Sequence, residues 1–189
     1  MRVIAGTARS MPLYAPKGDG TRPTTDRIKE TLFNTMQACV PDAVFVDLFA
    51  GSGAVGIEAL SRGAKKAYFV DNNREALDCI RKNLEFTKLN DKATVIGRNA
   101  LDALYEINEP ADIIFIDPPY QMGIESDIMR EISKRKIVHE DSLIVIEADI
   151  NTDLSEIENM GYSIYKEKLY KTNKHIFYKC EANTESDNT

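Results

Sequence analysis

The sequence is short of the residues that build metal centres and disulfide frameworks. It has three cysteines and two histidines among 189 residues, and no two cysteines stand at CxxC spacing. An odd number of distant cysteines indicates reduced thiols in a cytoplasmic protein rather than disulfides or zinc ligands. His139 and His175 also lack partners at metal-ligand spacing, so we expect no metal site.

Long hydrophobic runs are missing as well. No stretch approaches the roughly 20 apolar residues that a membrane span requires, and Met1 to Ser10 does not resemble a secretory signal. With 43% hydrophobic and 29% charged residues, the composition is typical of one globular domain with a single core. A monomer without membrane contact is the simplest expectation.

The net charge of −6 disfavours a nucleic-acid partner at first sight. Its distribution changes that view, because residues 1–36 carry six basic and three acidic side chains and are therefore net +3. A basic segment on an acidic body can form a local phosphate-binding surface, with a merely solvated segment as the alternative. The basic candidates for substrate contacts are Arg9, Lys17, Arg22 and Arg27.

From Val44 onward, short apolar strands alternate with helical segments, which predicts an open parallel sheet with helices on both faces. The predicted strands are 44–49, 67–70, 93–96, 113–116 and 143–146. The predicted helices between them are 53–62, 72–84, 101–107 and 124–134.

The segments on either side of this alternation predict different structures. Short β-rich pieces before residue 20 predict a small β arm, and Thr24 or Thr25 can cap a following helix that ends before Pro41. After the fifth strand, a helix is expected at 154–159, and strands at 162–170 and 175–180 predict a closing hairpin at one sheet edge. The expected units are a basic arm and helix (1–40), a catalytic domain (41–180) and a disordered tail (181–189).

The first chemical motif is a glycine-rich turn between the first strand and its helix. Asp47 lies near the end of the strand, and Gly51 and Gly53 follow at the edge where doubly wound sheets bind ligands. Glycines there let the backbone approach a ligand closely. Asp71, after the second strand, can bind both ribose hydroxyls of NAD or of S-adenosylmethionine. The motif alone leaves both open, because with Gly56 it also satisfies the dinucleotide pattern GxGxxG.

The second motif, Asp117-Pro118-Pro119-Tyr120, follows a buried strand at the same edge. The two prolines remove N–H donors and leave carbonyls free to accept, while Tyr120 can stack on a flat base for about 1–3 kcal/mol. The Asp117 carboxylate and the Pro118 carbonyl can accept the two protons of an amino group. Those bonds would aim the nitrogen lone pair at a sulfonium methyl, which favours S-adenosylmethionine as the cofactor.

Together these motifs resemble class I amino-methyltransferases. More narrowly, IAG at 4–6, RPTTDR at 22–27 and GIEALSRGA at 56–64 resemble the bacterial RsmD family, and the resemblance covers most of residues 1–149. It implies a Rossmann-like α/β fold with a seven-stranded, mostly parallel sheet. It also implies methyl transfer from S-adenosylmethionine to guanine N2 in 16S ribosomal RNA, either as RNA or within the small ribosomal subunit. A target base within a helix would have to be flipped out.

The resemblance implies roles for single residues. Gly51 and Gly53 would approach the methionine part of the cofactor, and Asp47 is a further cofactor-binding candidate. Asp71 would hold the ribose, with Asn72 nearby, and Asn99 and Ala100 would lie at the adenine. The family usually shows an acid at the position of Asn99, whose amide oxygen can still accept from adenine N6, but without charge. Arg22 and Arg27 would face the substrate or the methionine carboxylate, and Arg9 and Lys17 would contact phosphates.

Three other functions fit part of the sequence. A DNA or RNA amino-methyltransferase acting on adenine N6 or cytosine N4 would share the DPPY motif, but DNA enzymes usually carry a separate target-recognition domain. A nicotinamide oxidoreductase would use the glycines and Asp71, and would leave the DPPY motif unexplained. The third is a noncatalytic RNA-binding module.

Overall fold

The computed structural model describes residues 1–16, 26–119 and 122–180. Its strands are β1 (Val44–Asp47), β2 (Lys66–Val70), β3 (Ala93–Ile96), β4 (Ala111–Ile116), β5 (Val138–Asp149), β6 (Tyr162–Leu169) and β7 (Asn173–Cys180). They form one sheet in the order β3-β2-β1-β4-β5-β7-β6. The first five strands are parallel to one another, and β7 runs antiparallel to both of its neighbours, β5 and β6. The predicted seven-stranded, mostly parallel sheet with a closing hairpin is therefore confirmed.

The helices follow the predicted order, with shifted ends. They are α1 (Asp26–Thr35), α2 (Ala54–Ser61), α3 (Arg74–Thr87), α4 (Ala100–Ala103) and α5 (Glu125–Arg135). The helix expected at 154–159 is a 3-10 helix over Ser155–Met160. Strand β5 begins five residues earlier than predicted, because its first half, VHEDS, is polar and carries no apolar strand pattern. The proposed caps of α1, Thr24 and Thr25, lie outside the described residues.

Alternation along the strands divides the core into two layers. Phe45, Phe115 and Val145 point to the side covered by α1, α2 and α3, here called the α1 face. Val46 and Ile114 point to the opposite side, covered by α4 and α5, here called the α5 face. Both faces of the sheet are thus buried, and the strands read as continuous apolar runs for that reason.

The first 16 residues form the expected small β arm, closed by an isolated antiparallel bridge between Arg2 and Pro12. The arm is held by the fully buried carboxylate of Glu58 in α2. Glu58 accepts the N–H groups of Ile4 and Ala5 at 2.7 and 3.0 Å. It also pairs with Lys29 of α1 at 3.1 Å and with Arg62 at 2.8 Å. One acidic side chain therefore joins the arm, α1 and α2.

Gly6 explains why the arm can lie so close to α2. Its φ is +82°, and a Cβ placed there would come within 1.7 Å of the Ser61 carbonyl oxygen. Next to it, the N–H of Thr7 donates to that same oxygen at 2.8 Å. The IAG segment is thus a contact surface for the C-terminal end of α2.

Within the three described ranges, no helix combines the length and apolar character that a membrane crossing needs. The same ranges contain no cluster of three or more acidic, cysteine or histidine side chains suited to hold a metal ion.

Candidate active site

The glycine-rich bend connects β1 to α2 at the carboxyl edge of the sheet. Gly51 and Gly53 both have positive φ, +53° and +79°, a conformation that side chains with a Cβ adopt only at a cost. A Cβ on Gly51 would meet no atom within 4 Å. The bend is therefore open above Gly51, and a ligand can approach its backbone there.

Asp71 lies directly against this bend. One oxygen of its carboxylate accepts the N–H of Gly51 at 2.9 Å, and the other accepts the N–H of Asn73 at 2.8 Å. Each oxygen retains a second lone pair for a ligand hydroxyl. The acid after β2 and the glycine bend after β1 are therefore in direct contact at the carboxyl edge of the sheet.

The start of α3 differs from the prediction. The side chain of Asn73 caps the helix by accepting the N–H groups of Glu75 and Ala76, so the helix begins at Arg74 rather than at the predicted residue 72. Asn73 has the extended φ and ψ that this position requires, and adjacent asparagines cannot be told apart without those angles. Asn72 is exposed at the same edge.

Asn99 and Ala100 begin α4 at the neighbouring part of this edge. The Asn99 amide oxygen accepts the N–H of Asp102 at 2.9 Å, and its amide nitrogen donates to the Asp102 carboxylate at 2.7 Å. Ala100 is buried beneath them. Asp102 thus lies at this edge in contact with Asn99, which the sequence reasoning did not foresee. An acid three residues after a helix cap was the available signal.

Asp47 is almost fully buried at the end of β1. One of its oxygens accepts the N–H of Gly56 at 3.3 Å, and the other is buried with no hydrogen-bond partner among the residues that the structure describes. Burial raises the pKa of Asp47 to about 7, and the negative charge of Asp71 contributes to that rise. The site therefore contains an unused acceptor directly beneath the glycine bend.

Asp117 follows β4, the strand next to β1, and shares the α1 face with Asp47. Burial raises the pKa of Asp117 well above its usual value, and the negative charges of Glu147 and Asp47 raise it further. Pro118 is buried and Pro119 is exposed. Throughout residues 1–16, 26–119 and 122–180, no group donates to the Pro118 carbonyl, so it is available to accept.

The DPPY motif and the glycine bend were expected at one edge of the sheet, and Asp117 lies at that edge. Strands β1 and β4 are parallel neighbours, with Asp47 opposite Phe115. Parallel strands lie about 4.8 Å apart, so Asp117 stands beside the bend. Tyr120 lies outside the described residues.

A buried polar network borders Asp117 on its other side and was missed entirely. Glu147 of β5 accepts from the Asn173 amide at 2.6 Å and pairs with His175 at 2.8 Å. His175 is fully buried, and its second ring nitrogen lies 3.3 Å from the Tyr170 hydroxyl. The one available signal was a glutamate at the carboxyl end of an otherwise apolar strand.

Of the proposed substrate-contact residues, the structure describes Arg9 and Arg27. Arg27 is exposed in the first turn of α1. Arg9 is exposed in the arm, near the C-terminal end of α2, roughly 12 Å along that eight-residue helix from the glycine bend. The arrangement does not bring Arg9 to the Asp117 corner. Lys17 and Arg22 lie outside the described residues.

Taken together, the edge places the open backbone bend, the Asp71 carboxylate and the Asp117-Pro118 corner side by side. The first two suit a nucleoside with a free ribose. The third carries a carboxylate and an adjacent carbonyl, two hydrogen-bond acceptors of the kind that an amino group on a flat base requires.

Known proteins resemble this chain over nearly its whole length. A family model described as Conserved hypothetical protein 95 matches residues 1–179. Ribosomal RNA small subunit methyltransferase D of Escherichia coli (strain K12) is 35% identical over 187 residues, which cover 99% of this chain and 93% of that protein. The protein of the same name from Haemophilus influenzae is 35% identical over 171 residues, covering 89% and 88%.

Solved structures agree with these relatives. The Escherichia coli protein yhhF superposes with a TM-score of 0.84 at 34% identity, covering 96% of this chain and 98% of that chain. A Haemophilus influenzae protein superposes with a TM-score of 0.80 at 30% identity, covering 96% and 99%.

Proposed function

Because the chain belongs to the Conserved hypothetical protein 95 family, which is the RsmD family, we propose that it methylates guanine N2 in small-subunit (16S) ribosomal RNA, with S-adenosylmethionine as methyl donor. The observation that carries the proposal is the position of Asp117 beside the glycine bend. Relatives that match nearly the full length are named small-subunit ribosomal RNA methyltransferases. The Asp117 corner accounts for an amino nitrogen as the acceptor.

The residues at the edge fit S-adenosylmethionine, which supplies an electrophilic methyl group on its sulfonium. The open space above Gly51 admits the methionine part, and the unpaired buried oxygen of Asp47 offers an acceptor for its amino group. Asp71 keeps lone pairs for the ribose hydroxyls. Near the adenine position, the Asp102 carboxylate bonded to Asn99 supplies the negative charge that Asn99 itself lacks.

Asp117 and Pro118 act on the base. The carboxylate and the free carbonyl accept the two amino protons and orient the nitrogen lone pair toward the methyl group. Burial and the charges of Glu147 and Asp47 hold the pKa of Asp117 high, so this carboxylate readily takes the proton that the methylated nitrogen releases. Tyr120 is proposed to stack on the base.

The remaining assignments complete the proposal. Residues 1–40 provide substrate and cofactor contacts through Arg9, Lys17, Arg22 and Arg27. Residues 41–180 bind S-adenosylmethionine and carry out the transfer. The tail expected at 181–189 lies outside the described residues. The protein acts as a monomer in the cytoplasm.

The test is transfer of tritiated methyl groups to unmethylated 16S RNA and to 30S particles, followed by nucleoside analysis. Wild type should yield N2-methylguanosine. Asp117→Ala should lower the rate by about 100-fold or more and leave cofactor affinity and thermal unfolding nearly unchanged. Asp141→Ala, which removes an exposed carboxylate of β5, is the matched control. A fully active Asp117→Ala enzyme, or methylation of adenine in duplex DNA in place of RNA, would overturn the proposal.

A further inference from the structure

The terminal hairpin of this acidic protein is strongly basic. Residues 161–180 contain five lysines and one glutamate, a net +4 within a chain whose total is −6. This exceeds the +3 of residues 1–36. The hairpin is therefore the second place, besides the N-terminal segment, where a polyanion would be attracted.

Strand alternation sorts the charges of the hairpin onto different faces. Lys166 pairs in register with Phe177, and Lys168 pairs with His175. Phe177 belongs to the core layer of the α1 face, so both lysines point to that side. Glu167, between them, points to the α5 face, where its negative charge helps to raise the pKa of Tyr178 to about 12.

A third lysine lies on the same face. Lys179 of β7 is opposite Ser163, and its ammonium nitrogen lies 5.0 Å from the centre of the Tyr165 ring. The side chain of Tyr165 is 57% exposed, so the ring remains open to a partner. Lys166, Lys168, Lys179 and Tyr165 are called the hairpin surface below.

The hairpin surface is not neutralised by neighbouring acids. Across the parts of the chain that the structure describes, none of its three lysines forms an ion pair. Strand β6 is the outer strand of the sheet, and most of its side chains are exposed. Three positive charges therefore face solvent beside an exposed aromatic ring.

The hairpin surface lies on the same face of the sheet as Asp117, and Lys168 lies at the same edge. On the α1 face, the row across the carboxyl edge runs from Asp117 through Glu147 and His175 to Lys168, one residue per strand. Three strand spacings separate the first and last of these, about 14 Å. A chain whose base lies at Asp117 can therefore extend along this edge to the lysines.

We propose that the hairpin surface binds the sugar-phosphate backbone of the RNA whose target base enters beside Asp117. The lysines contact phosphates, and the Tyr165 ring stacks on a neighbouring base, a combination typical of sequence-independent RNA binding. The inference rests on the proposed function. It adds a second anchoring surface, on the opposite side of Asp117 from the glycine bend.

The test compares two triple variants with equal charge loss. The first is Lys166→Gln, Lys168→Gln and Lys179→Gln. The control is Lys65→Gln, Lys88→Gln and Lys92→Gln, three exposed lysines near the opposite, amino edge of the sheet. RNA affinity is measured by fluorescence anisotropy on an unmethylated 16S fragment, and steady-state methyl transfer is measured on the same RNA.

The hairpin variant should bind RNA about 10- to 100-fold more weakly and reduce the slope of log Kd against log salt by about 2, because each phosphate contact contributes roughly 0.7. KM for RNA should rise, while kcat and cofactor affinity stay the same. The control should remain near wild type. Arginine at the three hairpin positions should restore binding, which separates charge from folding.

The proposal fails if the hairpin variant and the control bind RNA equally well. It also fails if the hairpin variant is impaired only on 30S particles, because the surface would then contact a ribosomal protein. Wild-type enzyme that methylates no RNA at all would instead refute the proposed function. If the wild-type enzyme methylates RNA and the hairpin variant binds and methylates that RNA equally well, only the proposed role of the hairpin surface is refuted.

Discussion

The clearest stability prediction concerns Glu58, because one buried carboxylate joins three elements. Replacing it with alanine removes the acceptor for Ile4 and Ala5 and the partner of Lys29. The Lys29 side chain is only 1% exposed, and burial already lowers the pKa of its ammonium group. Without Glu58 this charge would keep one neutral acceptor, the Arg2 carbonyl at 2.6 Å.

The magnitude follows from the buried charge that is left behind. Breaking a buried ion pair by removing one partner costs about 3–5 kcal/mol. For a domain of this size, each kcal/mol lowers the melting temperature by about 2–4 °C, so Glu58→Ala should melt roughly 6–20 °C below wild type. Removing the stranded charge as well, in Glu58→Ala with Lys29→Met, should recover part of that loss.

Thermal and urea unfolding followed by circular dichroism measure both variants. If the free energy of unfolding of Glu58→Ala lies within about 1 kcal/mol of the wild-type value, the Glu58 carboxylate does not hold the arm, α1 and α2 together. If the double variant is less stable than Glu58→Ala, the loss comes from packing and hydrogen bonds rather than from an unpaired ammonium group.

Two further predictions concern the glycine bend. Gly51→Ala places a Cβ at a φ of +53° where it meets no atom within 4 Å, so it should cost only about 1–2 kcal/mol of stability. It should nevertheless weaken S-adenosylmethionine binding, measured by calorimetry, more than 10-fold. An unchanged Kd would argue against cofactor binding above Gly51. Because burial raises the pKa of Asp47 to about 7, the folded state without ligand holds a proton that the unfolded chain releases near pH 4. Wild-type stability should therefore fall as pH rises from about 4 to 7. Asp47→Asn should weaken that dependence in urea unfolding and leave the part that the raised pKa of Asp117 contributes. A variant that keeps the full wild-type dependence would assign it to groups other than Asp47.

Much of the sheet could be predicted because its strands are buried on both faces and its helices are periodic. The juxtaposition of Asp117 with the glycine bend was also predictable, since both follow parallel strands and therefore reach one edge. Local patterns are enough for such features. The direction of the strands alone is enough to bring these side chains to the same edge of the sheet.

The missed residues depend on information that local patterns do not contain. Glu147 meets His175 only because β7 inserts between β5 and β6 in one register, and a shift by one residue would reverse every side chain. The choice of Asn73 over Asn72 depends on backbone angles. The Asp102 contact depends on where α4 begins, and helix ends are the least predictable boundaries.

The strand order also has a consequence for biosynthesis. Strand β7 follows β6 in the sequence, yet in the sheet it lies between β5 and β6 and supplies His175 to Glu147. During translation, β5 must keep an open edge until residue 180 has left the ribosome, and open edges invite pairing with other chains. A chain truncated before β7 would thus lack the histidine that pairs with Glu147 and would leave the edge of β5 open to pairing with other chains.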